Sequence, residues 1–102
     1  MHIEINYRNI NHSETIDQHV HEQVHQILGR FEERLTRIEV HLADENAGKP
    51  GPDDKRCMIE ARPRGMDPLV AEDHAEDLYA SIAGATKKLQ RVLTKRFEKS
   101  DA

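Results

Sequence analysis

The hydrophobic residues of this chain change their period along its length, and the order of those changes leaves few folds open. Ile3, Ile5 and Tyr7 alternate with His2, Glu4, Asn6 and Arg8, the two-residue repeat of a strand with one buried face. Ile16, Val20, Val24, Ile27, Leu28 and Phe31 then recur at helical spacing. Ser13 stands as N-cap, with Glu14 and Asp17 in the first turn, where the positive end of the helix dipole favours acids. This helix is predicted to run to about Arg34, with Gly29 weakening it by up to about 1 kcal/mol relative to alanine and inviting a bend. Alternation returns at Ile38, Val40 and Leu42, and again at Cys57, Ile59 and Ala61, in a strand that Pro63 should end. Between these two strands, Ala43 to Lys55 is rich in turn residues and reads as a polar loop. A short fourth strand is predicted around Leu69 to Asp73, and a final helix from about Glu76 to Glu98, again with acids in its first turn.

A helix between the first two strands requires a crossover that leaves them parallel, whereas short turns make the later neighbours antiparallel. Every strand has one apolar face, so both helices belong on the same side of the sheet. The expectation is an α+β fold of order βαβββα: a four-stranded mixed sheet with two helices packed on one face. Glu4, Glu39, His41, Glu60 and Arg62 are left to water on the other. The 102 residues suffice for one modest core, and 1–102 reads as a single domain.

The final helix separates its charges from its apolar residues. Tyr79, Ile82, Leu89, Leu93 and Phe97 form the apolar stripe; Lys88, Arg91, Lys95 and Lys99 fall opposite, a line about 16 Å long at ~1.5 Å per residue. Thr86 to Lys99 holds six basic residues against the one acid Glu98, so it carries +5 in a chain of net charge −4, and the remainder carries −9. No acids interleave to give the i,i+4 pairs of an ordinary exposed helix. Such a line fits a polyanion, and the acidic remainder favours docking with the basic helix forward.

Other chemistry has little support. Cys57 is alone, which excludes an internal disulfide or a thiolate zinc site, and the alternation points it inward. His21 and His25 stand one helical turn apart, a spacing that can chelate a metal. No cysteine or third ligand lies at a suggestive distance, so no metal is expected. His19, His21 and His25 read as a polar helix face able to add positive charge as the solution turns acidic. Asp67 to Asp77 holds five acids without the regular spacing of a calcium loop. No nucleophile with its base, no phosphate-cradling glycine loop and no carboxylate pair in an apolar setting is present. No enzymatic activity, cofactor or small-molecule substrate is therefore expected. The N-terminus opens in strand alternation rather than as a signal peptide, and no segment approaches the ~20 apolar residues of a membrane helix. The expected location is the cytoplasm.

Three stretches carry a family likeness: Tyr7-Arg8-Asn9-Ile10, Asp77-Leu78-Tyr79-Ala80-Ser81-Ile82, and Lys88-Leu89 with Arg91 and Leu93-Thr94-Lys95. They resemble the ribosome hibernation-promoting factors, also called ribosome-associated inhibitors or sigma-54 modulation proteins, and the likeness runs from residue 1 to about 99. The resemblance implies the same βαβββα order. It also implies a protein that binds small-subunit rRNA in the channel used by mRNA and tRNA, inhibiting translation under stress or starvation. By position, Arg8, Lys88, Arg91, Lys95 and Lys99 would contact rRNA phosphates, with Lys87 and Arg96 as adjacent candidates. The implied device is steric, a plug held by charge, with little base reading. Two departures stand out. Ala83 occupies a position where the family commonly carries Asp, and the first helix bears His21, His25 and acids where Lys or Arg is frequent. Ending at Ala102, the chain is expected to resemble the short members and to be a monomer or weak dimer. The alternative suggested by the acidic balance is a regulatory module of the same fold. It would bind a protein partner through Asp67 to Asp77 and have weak or no affinity for ribosomes.

Overall fold

Alternation and helical periodicity translate into elements with modest shifts of their ends. The computed structural model describes residues 1–46 and 54–101. The elements are β1 (His2–Arg8), α1 (Glu14–Leu28), a 3-10 segment (Gly29–Arg34), β2 (Leu35–Asp44), β3 (Lys55–Pro63), β4 (Leu69–Ala75) and α2 (Leu78–Asp101). The four strands form one sheet in the order β1-β2-β3-β4. β1 and β2 are parallel, as the crossover demands; β2 with β3 and β3 with β4 are antiparallel. The βαβββα order and the two-layer arrangement therefore match the expectation.

Register turns the alternation into two chemically distinct faces. Ile5, Val40, Ile59 and Ala71 lie in one inward row, Ile3, Ile38, Ala61 and Leu69 in the next, and Tyr7, Leu42, Cys57 and Asp73 in a third. The apolar residues of these rows, with Val20, Val24 and Leu28 of α1 and Ile82, Ala85, Leu89, Leu93 and Phe97 of α2, form the core. Each Val, Leu or Ile buried there contributes about 1.5–3 kcal/mol relative to exposure. The outer rows are polar. Arg37 pairs with Glu4 and lies 3.6 Å from Glu39, Arg62 reaches Glu39 at 2.8 Å, and Arg56 reaches Glu72 at 2.6 Å. The acids of the open face are thus largely matched by arginines of the same face.

Several ends differ from expectation. α1 stops at Leu28 and the chain tightens into the 3-10 segment, so the stretch to Arg34 is not continuous α-helix. Gly29 marks the change. α2 begins at Leu78, so Glu76 and Asp77 precede it and its first turn holds no acid; the Asp77 carboxylate instead accepts from the Ala80 N–H at 3.0 Å. Ala43, Asp44 and Lys55, placed in the loop by their polarity and turn propensity, belong to the strands; residues 47–53 of that loop lie outside the described residues.

The link from β1 into α1 is held by side chains. Asn9 takes the left-handed conformation at φ 58°, which asparagine tolerates better than most residues. The Tyr7 hydroxyl donates to Asp17 at 2.7 Å, and His12 Nε2 lies 2.7 Å from the other oxygen of the same carboxylate. Burial, reinforced by that carboxylate, pushes the Tyr7 phenol up to about 12. Burial acts to raise Asp17 as well, but the bonds from Tyr7 and His12 outweigh it and hold the carboxyl below its usual range. Ser13 caps the helix as expected, accepting from the Ile16 N–H at 3.3 Å.

Candidate nucleic-acid interface

α2 is anchored by Leu78, Ser81, Ile82, Ala85, Thr86, Leu89, Leu93 and Phe97, all buried. The two hydroxyls among them donate to carbonyls of the preceding turn, Ser81 to Leu78 at 2.8 Å and Thr86 to Ile82 at 2.7 Å, so the buried face carries no unpaired polar side chain. Anchoring one face fixes the other. Lys87, Arg91, Lys95, Arg96 and Lys99 are exposed, and none of them forms an ion pair among the described residues.

The seven cations singled out by sequence do not form one group. Lys88 is held by Asp73 of β4 at 2.8 Å and by the Glu72 carbonyl at 3.3 Å, so it straps α2 to the sheet. Arg8 lies on the opposite side of the sheet from the helices. There it shares a recess of about 360 Å³ with Asn6, His41, Arg56 and Met58. What remains together is the row Lys87, Arg91, Lys95 and Lys99 on α2; Arg96, nine residues after Lys87 and so about half a turn round the helix, is exposed on another side.

One cation joins this set that periodicity did not reveal. Arg30, in the 3-10 segment, donates to Thr94 Oγ1 at 2.7 Å and stacks over Phe31 at 4.6 Å. It lines a groove of about 420 Å³ with Gln90, Arg91, Thr94, Lys95 and Glu98. Arg34, one turn further on, pairs with Asp101 at 3.0 Å and lies 3.8 Å over the Phe97 ring. The sequence offered only an arginine near the end of the predicted first helix; its placement depends on how α1 and α2 pack. Gln90 donating to the Ile27 carbonyl at 3.3 Å and Phe31 against Phe97 at 5.4 Å secure that packing.

Tyr79 also departs from expectation. It is 42% exposed rather than part of the core, with its ring edge-on to His19 of α1 at 4.7 Å. His21 and His25 stack at 6.3 Å on the exposed part of α1. With Glu22 between them the segment reads His-Glu-x-x-His, the order in which two histidines of a helix hold zinc and the glutamate serves as base. The geometry does not complete such a centre. Glu22 lines a recess with Thr15, Gln18, His19 and Tyr79, and among the described residues no group of three or more His, Cys, Asp or Glu could hold a metal ion. Cys57 is fully buried, and that burial, with the Asp73 charge, pushes its thiol up to about 12, far from a reactive thiolate. No helix among the described residues is long and apolar enough to cross a membrane.

A mixed sheet with both helices on one face, and a C-terminal helix on which five of six basic residues have no carboxylate partner among the described residues, defines the class: a small α+β fold with a row of exposed cations on α2. The chain matches the family model described as Sigma 54 modulation protein / S30EA ribosomal protein over residues 3–101, and it belongs to that family of ribosome-associated, non-enzymatic factors. Among solved structures it is similar to a ribosomal subunit interface protein from Coxiella burnetii (TM-score 0.82, 16% identity, covering 96% of this chain and 99% of that one). It is similar also to the N-terminal domain of Protein Y from Thermus thermophilus (TM-score 0.74, 24% identity, 95% and 99% covered). At these identities the likeness is one of fold. Against the curated proteins the chain has no match.

Proposed function

We propose that this protein binds rRNA of the small ribosomal subunit through the outer face of α2. Seated there in the cytoplasm, it blocks the channel for mRNA and tRNA and holds translation off under stress or starvation. One observation carries the reading: Lys87, Arg91, Lys95 and Lys99, spaced four apart on α2, are exposed together and unpaired among the described residues, in a chain whose net charge is −4. Unpaired cations exchange counterions for phosphates without first breaking a protein salt bridge. Arg30 extends the positive surface across the groove toward α1. Inhibition needs no chemistry, because a folded body in the channel excludes the substrates by volume.

The protein-partner alternative is weakened by the structure's own pairings. Of the acids in Asp67 to Asp77, Glu72 is engaged by Arg56, Asp73 by Lys88, and Asp77 caps α2.

The test is cosedimentation with purified small subunits over a range of salt. With four or five phosphates neutralised, log affinity should fall against log salt with a slope of roughly −3 to −4.5. A triple variant, Arg91→Glu, Lys95→Glu and Lys99→Glu, should fail to pellet with subunits. Its thermal stability should hardly change, since exposed, unpaired side chains contribute within about 0.5 kcal/mol. Pelleting of the triple variant at wild-type affinity would remove α2 as the contact.

A further inference from the structure

On α2, Tyr79, Ala83, Lys87, Arg91, Lys95 and Lys99 follow one another at intervals of four, a single ridge of the helix that advances about 6 Å per step. Its first member is an exposed aromatic ring and its last four are exposed cations. Ala83 puts neither charge nor bulk between the ring and the cations. The ring is also one of only two large hydrophobic side chains well exposed among the described residues, the other being Val70.

Beside the ring lies a recess of about 220 Å³ lined by Thr15, Gln18, His19, Glu22 and Tyr79. His19, one of the lining residues, has its Nε2 buried and without a hydrogen-bond partner. The recess admits one planar ring and is too small for a folded segment. Its walls mix apolar surface with polar groups, the Glu22 carboxylate among them, which suits a base with amino donors better than a purely apolar side chain.

We propose that this ridge is a track for single-stranded RNA, with an unpaired base stacked on Tyr79 beside His19 and the following phosphates on Lys87, Arg91, Lys95 and Lys99. The proposal rests on the RNA-binding reading above and adds a base-contacting residue to it. Cations that follow the backbone, together with an aromatic ring that accepts any base, are the usual means of holding a single strand. Duplex RNA offers no free base face and would leave Tyr79 idle.

The chain contains no tryptophan, so Tyr79→Trp places a single emitter at the site. Titrated at low salt with oligoadenylate, its emission should be quenched; inorganic polyphosphate of equal charge should bind by calorimetry and leave the emission unchanged. Tyr79→Leu, which keeps an apolar contact for His19, should weaken oligoadenylate binding about tenfold, as expected for loss of one stacked base, and leave polyphosphate binding as it was. Constant emission, absence of oligoadenylate binding, or equal loss on both polymers would each overturn the track. The ribosome reading fails separately. It requires cosedimentation of the wild-type chain with small subunits, and that can persist when the Tyr79 variants show no base contact.

Discussion

At the scale of single residues, Asp73 decides how Lys88 is used. Its register places it in the inward row beside Cys57, yet it lies under α2 at the one position without a side chain, Gly84. A Cβ added at Gly84 would stand 1.8 Å from the Asp73 carboxylate oxygen and 3.2 Å from its Cβ. Gly84→Ala therefore forces the carboxylate aside and breaks its bond to Lys88. Two terms oppose each other. A half-exposed pair contributes about 0–1 kcal/mol, and replacing glycine inside a helix by alanine gains about 1 kcal/mol. The expected outcome in urea unfolding is a change of no more than about 1 kcal/mol, with Lys88 released as the sixth basic residue of α2 without a carboxylate partner. A loss above about 2 kcal/mol would mean that Asp73 cannot rotate and that its Cβ, not its charge, fills the space.

At the scale of elements, the ends of α1 illustrate which features periodicity resolves. The N-terminal end was legible because Ser13 must supply an acceptor to an orphan N–H, and it does. The C-terminal end was not, because Gly29 sits at φ −57° and ψ −33° with open space around it, so nothing local forces the change to 3-10 geometry. The same contrast gives a paired prediction. Ser13→Ala should cost about 1 kcal/mol. Gly29→Ala, compatible with that backbone, should gain about 0.5–1 kcal/mol by restricting the unfolded chain. The sites lie at opposite ends of α1 without shared partners, so the double variant should unfold near the wild-type midpoint; a clear departure would show that the cap and the 3-10 segment are coupled.

Element order, the parallel β1–β2 pair and the inward faces were likewise legible, since each follows from alternation within one segment. The exposure of Tyr79, the partner of Lys88 and the place of Arg30 were not legible, for the opposite reason. The ring sits at the margin of the apolar stripe, where coverage depends on how far α1 reaches. The partner of Lys88 comes from β4, and the place of Arg30 is set by a bond to Thr94 on another helix. A pattern read one helix at a time contains none of these.

At the scale of the whole molecule, charge is distributed so that placement and amount can be separated by experiment. Arg8 and Arg91 lie on opposite sides of the sheet in a molecule 24 × 20 Å across its shorter axes. Screening at physiological salt acts over about 8 Å, so each responds mainly to phosphates on its own side. Arg8→Glu and Arg91→Glu alter the net charge equally, and if total charge governed attraction the two would weaken ribosome binding alike. If α2 is the docking side, Arg91→Glu removes a phosphate contact and adds repulsion. It should then lower affinity for small subunits at least about tenfold and make the salt slope shallower by about 1, whereas Arg8→Glu should leave the slope unchanged and affinity within about twofold. Equal losses would assign binding to overall charge. A larger loss from Arg8→Glu would turn the molecule over and make the open sheet face, with the recess formed by Asn6, His41, Arg56 and Met58, the side that meets the ribosome.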